Sequence, residues 1–282
     1  VTLSREVAYA KINLALHVRR RRADGYHDIE TLFAFAEDGD VITALPGEAG
    51  LRLDGPFAEA LRGEDSEDNL VMRAARRLAG LLGRDDVPGI TLDKRLPVAA
   101  GIGGGSADGA AVLRLLCRRY GIALDDPRVA TLAGELGADV PACLASVAVR
   151  GDERGDRLIP VETKALTGLP LLLVNPRTQL STGAVFAAWD QVDRGPLLES
   201  DDPLSVACAS RNDLEPPAQA LCPVIGEVVG LLEKQPGVML TRMSGSGATC
   251  FALFDGTAER DAAAAAVTSE HPDWWLLATR LR

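Results

Sequence analysis

From residue 8 to residue 18 every even position is apolar (Ala8, Ala10, Ile12, Leu14, Leu16, Val18), while Tyr9, Lys11, Asn13 and His17 occupy odd positions. A period of two marks a half-buried strand, and it sets Lys11 and Asn13 together on the face turned away from the core. A polar connection over residues 19–27 carries Asp24-Gly25, a hairpin turn signal, and residues 29–35 predict a second strand. The period then changes. Asn69 precedes a helical stripe (Leu70, Val71, Ala74, Ala75, Leu78, Leu81, Leu82) that stops at Gly83, so cap, stripe and stop agree. Ala110, Val112, Leu113, Leu116 and Cys117 form the apolar face of another helix, ending at Gly121. Asp126-Pro127 opens a third, which ends at Gly137.

The charged, glycine-punctuated stretch 150–168 is the expected junction between two lobes, residues 1–160 and 161–282. Beyond it, residues 169–174, 238–243, 249–254 and 274–281 predict strands, and 183–189, 227–232 and 257–269 predict helices. Strands and helices mix without a long βαβ series, which predicts an α+β fold in two lobes.

Composition narrows the function. With 47% hydrophobic and 25% charged residues, the chain is an ordinary globular protein. Its 282 residues suit two domains at roughly 150 residues each. Forty acidic against thirty basic residues, a net charge of −10, argues against a nucleic-acid partner. No apolar run approaches the roughly 18 residues of a membrane span, and Arg5, Glu6, Lys11 and Asn13 interrupt the first 16 residues, against a signal peptide. Cys117, Cys143, Cys208, Cys222 and Cys250 form no C-x-x-C pair and read as buried small hydrophobes of a reducing, cytoplasmic setting. His17, His27 and His271 are too dispersed for a zinc site.

The most unusual stretch is PVAAGIGGGS at residues 97–106. Gly101, Gly103, Gly104 and Gly105 precede Ser106 and a helix start, and glycines let backbone N–H groups approach an anion where the helix end adds free donors. That is a recipe for a polyphosphate cradle; the alternative is a flexible turn capped by Ser106. The stretch is neither a P-loop, lacking the Lys-Ser or Lys-Thr, nor G-x-G-x-x-G, and the VAIK and HRD elements of protein kinases are missing. Taken singly, Asp139 reads as a helix N-cap, Lys11 as surface charge, Arg19 to Arg22 as a solvated loop, residues 244–247 as a hairpin loop, and Tyr26, Phe33 and Phe186 as core.

Taken together these pieces resemble the GHMP small-molecule kinases, and within them the 4-diphosphocytidyl-2-C-methyl-D-erythritol kinases of the non-mevalonate isoprenoid pathway. The matching segments are AKINLALHV (10–18), RRADGYH (21–27), TLFAF (31–35), NLVMRAA (69–75), KRLPVAAGIGGGSADGAA (94–111), LGADVP (136–141), RNDLE (211–215) and RMSGSGATCFALF (242–254). They run in family order along essentially the whole chain, and DGYH beside the KINL strand separates this group from its galactose, homoserine and mevalonate relatives.

The resemblance implies ATP-dependent phosphorylation of the 2-hydroxyl of 4-diphosphocytidyl-2-C-methyl-D-erythritol, on a ribosomal-S5-like N-terminal lobe and a ferredoxin-like C-terminal lobe. It implies Lys11 and Asp139 as the catalytic pair, with Asp139 accepting the hydroxyl proton and Lys11 stabilising the alkoxide. Pro97, Val98, Ala99, Ala100, Gly101, Ile102, Gly103, Gly104, Gly105, Ser106 and Ala107 would wrap the ATP phosphates, and Asn69 would fall near the adenine. Tyr26, His27, Phe33 and Phe186 would hold the cytidine end and Asn13 the erythritol. Mg2+ is the implied cofactor beside ATP, with Ser106 its candidate ligand. The expected partner is the small-molecule substrate, with no nucleic acid or membrane, in a monomer or weak homodimer. The chain departs from the family pattern at Ala99, Ala107, Ala142 and the Ala145-Ser146-Val147 run. The alternatives are a GHMP kinase of another small alcohol, or an inactive nucleotide-binding module, which would be expected to lack Lys11 or Asp139.

Overall fold

The computed structural model describes residues 4–63 and 68–282, so residues 1–3 of the opening segment lie outside the described residues. The chain starts with a long hairpin of β1 (Ser4–Arg21) and β2 (His27–Leu45). Gly25 turns it at φ +88°, and the Arg22 N–H donates to the Tyr26 carbonyl at 2.8 Å. Both strands outrun the alternating stretches that predict them. In β2 the run Glu37-Asp38-Gly39-Asp40 looks like a turn, yet the strand passes straight through it. Gly39 permits this, because a Cβ there would fall 1.9 Å from the Ala8 carbonyl oxygen.

The chain divides into two compact units. The first takes residues 1–10, 38–98 and 103–146. It adds β3 (Leu51–Asp54), α1 (Leu70–Leu81), β4 (Gly89–Asp93), α2 (Gly104–Tyr120), α3 (Pro127–Leu136) and α4 (Val140–Ala145). Strand β3 pairs parallel with β4, which pairs antiparallel with residues 41–45 of β2. Helix α2 packs on α1, α3 and α4 and is buried along most of its length. The caps read from sequence are present: Asn69 Oδ1 accepts from the Val71 N–H (3.0 Å), Asp126 Oδ1 accepts from the Arg128 N–H (2.9 Å), and Gly121 ends α2 at φ +68°.

The second unit takes residues 11–37, 99–102 and 147–282. Here β5 (Val149–Asp152) pairs with residues 31–33 of β2 and with β6 (Arg157–Pro160), so the stretch expected as a junction begins as an ordered hairpin. The later elements are β7 (Pro170–Asn175), α5 (Thr182–Ala187), α6 (Pro203–Ala209), α7 (Glu215–Leu221), α8 (Val224–Glu233), β8 (Val238–Met243), β9 (Cys250–Phe254), α9 (Thr257–Glu270) and β10 (Trp275–Arg280). Four strands form an antiparallel sheet in the order β10-β7-β9-β8. Its core joins Leu172, Val174 and Phe254 of the sheet to Ile225 and Val228 of α8 and Ala263 and Val267 of α9. The fold is therefore α+β, as the mixed patterning predicts.

Three expectations need correction. Residues 10–18 are buried on both sides of β1, with Lys11 at 3%, Asn13 at 2% and His17 at 2% exposure, so this strand is not half-buried. Its polar face is covered because those side chains find hydrogen-bond partners. Cys208 is exposed, whereas the other four cysteines are buried thiols as expected. The arginines of residues 19–22 do not form a solvated loop: Arg19, Arg20 and Arg21 end β1, and Arg19 pairs with Glu30 and Asp193, Arg20 with Asp28, and Arg22 with Asp24 and Asp28. Among the described residues no helix is long and apolar enough to cross a membrane.

Candidate active site

In the second unit, β1 presents Lys11 and Asn13 inside a chain of buried hydrogen bonds. The Lys11 ammonium donates to Asn13 Oδ1 at 3.0 Å and stands 5.0 Å from the centre of the buried Phe33 ring. Asn13 Nδ2 donates to Thr31 Oγ1 (2.8 Å), whose hydroxyl donates to the Ala15 carbonyl (2.7 Å). Buried polar groups without partners cost about 1–3 kcal/mol each, so this chain is what lets polar side chains occupy the strand's inner face.

The same strand holds the middle of the glycine-rich loop. The Lys11 N–H donates to the Ile102 carbonyl at 3.1 Å. The buried Ser244 hydroxyl accepts from the Asn13 N–H (3.2 Å) and donates to the Gly101 carbonyl (3.0 Å). A Cβ on Gly101, which sits at φ +75°, would lie 2.6 Å from the carbonyl oxygens of Ser244 and Gly247, so only glycine fits. Ala99 holds φ +53°, a left-handed conformation that costs an alanine about 1–2 kcal/mol. Residues 244–247 thus form the expected hairpin loop between β8 and β9, and they also hold the glycine-rich loop in place.

In the first unit, Gly103 caps α2 from φ +62° and the helix begins at Gly104. Gly104, Gly105 and Ser106 therefore lie inside the first turn rather than ahead of it, and Ser106 is not the cap. The first N–H groups of a helix have no partner within it. The ideal Cβ position on Gly105 has nothing within 4 Å, so this turn leaves open space beside Gly105.

Beneath that turn lies a cluster that sequence reasoning did not assign. The buried Lys94 ammonium sits 2.5 Å from Asp40 Oδ2 and 2.7 Å from Asp108 Oδ2. Asp40 Oδ1 accepts from the N–H groups of Arg95 and Leu96, at 2.6 and 2.8 Å, just before Pro97. One lysine among two carboxylates fixes the charge pattern. Burial works against the ammonium, but Asp108 and Asp40 outweigh it and raise the Lys94 pKa. Burial pushes the Asp108 carboxyl up to about 8 against the pull of Lys94, with Asp40 adding to the rise.

Asp139 is the residue before α4 and stands at the N-cap position read from sequence, but its side chain makes no capping hydrogen bond. Asn69 is different: its side chain is engaged as the α1 cap. Pro97, Val98, Gly103 and Ala107 belong to the first unit, and Ala99, Ala100 and Ile102 to the second, where the Ala100 carbonyl accepts from the Thr249 N–H at 3.2 Å.

Of the expected cytidine residues, Tyr26 and His27 lie at the end of the hairpin and Phe186 packs on His27. The His27 ring stacks on Phe186 (centroids 4.8 Å, 30° between planes) and meets Trp189 edge-on at 5.8 Å, while Tyr26 is 57% exposed. Burial, aided by Arg21, lowers the His27 pKa and favours the neutral ring. Phe33 is fully buried beneath Lys11 and fills the space left by Gly151, whose Cβ would meet the Phe33 ring at 2.7 Å. A cavity of about 620 Å³ beside the hairpin is lined by Arg19, Arg20, Arg22 and Arg157 together with Asp28 and Glu30.

The residues that sequence reasoning missed are Asp40, Lys94, Asp108, Thr31 and Ser244 in these roles. Lys94 and Asp108 stood inside the quoted loop motif, and a charged residue at each edge of a glycine run was the available signal. Asp40 offered none, because it follows a turn-like run.

Comparison with known proteins identifies the family. The model of the GHMP kinases N terminal domain matches residues 69–146 and that of the GHMP kinases C terminal domain matches residues 193–273. A 4-diphosphocytidyl-2-C-methyl-D-erythritol kinase of Rhizorhabdus wittichii is 70% identical, over 98% of this chain and 94% of its own length. One of Sphingopyxis alaskensis is 52% identical, over 99% of this chain and 98% of its own. The crystal structure of a 4-(cytidine 5'-diphospho)-2C-methyl-D-erythritol kinase superposes with a TM-score of 0.78 at 34% identity, covering 98% of each chain. The chain belongs to the GHMP kinase family, in the group of the 4-diphosphocytidyl-2-C-methyl-D-erythritol kinases.

Proposed function

We propose that the protein transfers the γ-phosphoryl group of ATP to the 2-hydroxyl of 4-diphosphocytidyl-2-C-methyl-D-erythritol. The observation that carries this reading is the 70% identity, over 98% of the chain, to a 4-diphosphocytidyl-2-C-methyl-D-erythritol kinase. In this reading Asp139 accepts the hydroxyl proton as the oxygen attacks the γ-phosphorus, the bond to the bridging oxygen breaks, and ADP leaves. Lys11 stabilises the negative charge developing on the attacking oxygen, and Asn13 holds its ammonium in place. The first-turn amides of Gly104, Gly105 and Ser106 bind the polyphosphate, along the loop from Pro97 to Ala107. Positioning and electrostatics then supply most of the rate.

Among the described residues no group of three His, Cys, Asp or Glu side chains could hold a metal. Mg2+ bound with ATP would be held by the Ser106 hydroxyl and would supply charge neutralisation there. Tyr26, His27, Phe33 and Phe186 serve the cytidine end and Asn69 the adenine. A boundary near residue 160 leaves one family-model match on each side. The four buried free thiols suit work in the reducing cytoplasm.

The test is a phosphoryl-transfer assay with ATP and Mg2+ on four acceptors: the cytidyl substrate, mevalonate, homoserine and galactose. Phosphorylation of the cytidyl substrate alone, at the 2-hydroxyl by phosphorus NMR, is expected. Preference for another alcohol would reassign the substrate, and no transfer to any would leave a nucleotide-binding module.

A further inference from the structure

Ten positions after Gly104, on the same helix α2, stands an arginine with no part in the mechanism above. The Arg114 side chain is 8% exposed, and its guanidinium is used on every edge. Nε donates to Glu6 Oε1 (3.0 Å) and Nη2 to the Val7 carbonyl (2.7 Å). Nη1 donates to the Cys143 carbonyl (2.5 Å) and to Ser146 Oγ (2.8 Å). The Ser146 hydroxyl donates to that same carbonyl at 2.5 Å, and the Tyr9 ring centre lies 5.6 Å from the guanidinium carbon.

Cys143 is the link to Asp139. Its N–H donates to the Asp139 carbonyl at 3.0 Å, while its own carbonyl takes the Arg114 guanidinium. Helix α4 has six residues, far below the length at which a helix holds its own conformation. Its last carbonyls lack intrahelical partners. The buried Arg114 cation satisfies the Cys143 carbonyl and interacts favourably with the negative end of the helix dipole.

We propose that Arg114 is a positioning residue for Asp139, fixing the pose of α4 from its C-terminal end through the Cys143 peptide. The proposal rests on the reading of Asp139 as the proton acceptor. Lysine keeps the charge beside Glu6 but cannot span Val7, Cys143 and Ser146 at once, because it lacks the planar fork.

The experiment measures kcat, both KM values, ATP affinity by calorimetry and Tm for Arg114→Lys, Ser146→Ala and Asp139→Asn in the full chain. Small misplacements of a reacting group cost up to about 100-fold in rate. Arg114→Lys is therefore expected to lower kcat at least about ten-fold, with ATP affinity and both KM values within about three-fold. Ser146→Ala leaves the Glu6 pair intact and should lower kcat about two- to five-fold with the same split. Wild-type kcat in both variants, beside an inactive Asp139→Asn, overturns the proposal, as does a loss seen only in Tm. If Arg114→Lys does not fold, Ser146→Ala decides alone: a reduced kcat with unchanged KM supports the proposal and an unchanged kcat overturns it. Retained turnover in Asp139→Asn strikes the reading of Asp139 itself, a separate failure.

Discussion

Ser244 and Asn13 lie 231 positions apart in the chain, yet the Ser244 hydroxyl accepts a hydrogen bond from the Asn13 backbone N–H and donates one to the Gly101 carbonyl. One hydroxyl therefore connects the strand that carries Lys11 to the loop that carries the glycines. Ser244→Ala leaves the Asn13 N–H buried without an acceptor, at a cost of about 1–3 kcal/mol. We expect urea unfolding to show that loss. Because the loop and Lys11 share the missing contact, kcat/KM for ATP should fall at least about ten-fold in the folded variant. Unchanged kinetics at reduced stability would make Ser244 purely structural.

Gly105 separates folding from nucleotide binding. It lies in the first turn of α2 with open space where a side chain would start, and alanine is the better helix former by about 1 kcal/mol. Gly105→Ala should therefore fold at least as stably as the parent while its methyl group obstructs the phosphates. The expected calorimetric result is at least about ten-fold weaker ATP binding with no loss of Tm. Gly104→Val is a poorer probe, because its Cβ would lie 3.1 Å from the Lys94 ammonium and disturb the buried cluster as well. Undiminished ATP affinity in Gly105→Ala would remove the phosphate-cradle reading.

His27 tests the nucleobase. Its ring is held by Phe186 and Trp189, and burial favours its neutral form, which presents one donor and one acceptor. A buried hydrogen-bonding edge rejects the wrong base because polar groups are left unpaired, whereas stacking alone tolerates any base. His27→Ala should raise KM for the cytidyl substrate at least about ten-fold and leave ATP affinity within about two-fold. CDP should also compete with the cytidyl substrate better than UDP. Equal competition, with a wild-type His27→Ala, would show that the base is not read here.

The parts of this molecule that were legible in sequence are those whose signals are local. Asn69 with Gly83, Asp126-Pro127 with Gly137, and Gly121 bound their helices correctly because caps and stops act within a few residues. Strand β4 was missed: five residues with Ile90 and Leu92 at its centre carry too little periodicity. Helices α6 and α7 hide in proline-containing runs. The burial of Lys11 and Asn13 could not be seen from alternation, because polar residues are tolerated inside only when partners such as Thr31 and Ser244 arrive from elsewhere in the chain. Segments in family order showed which pieces belong together. They did not reveal that Lys94 joins Asp40 to Asp108, since that cluster depends on Gly39 letting β2 run on past Ala8.

That cluster makes stability depend on pH with a definite sign. The Asp108 carboxyl titrates at about 8 in the fold because burial disfavours its charged form, against an ordinary carboxylate value of about 3.9 in the unfolded chain. Below pH 4 both states are protonated and Asp108 costs nothing. Between pH 4 and 8 the unfolded chain releases the proton while the fold retains it, so this group's contribution falls as pH rises, then levels above 8. Asparagine is an isostere of the protonated acid and still offers Lys94 an oxygen. Asp108→Asn should therefore match the parent near pH 4 and exceed it progressively toward pH 8.5, by at least about 1 kcal/mol in unfolding free energy. Groups outside the Lys94 cluster titrate alike in the two proteins and cancel in the difference. Chemical denaturation of both proteins at half-unit steps checks this. A difference that stays constant with pH, or a variant less stable than the parent at pH 8.5, would mean that Asp108 is held ionised by Lys94 and that the pair is a simple buried ion pair.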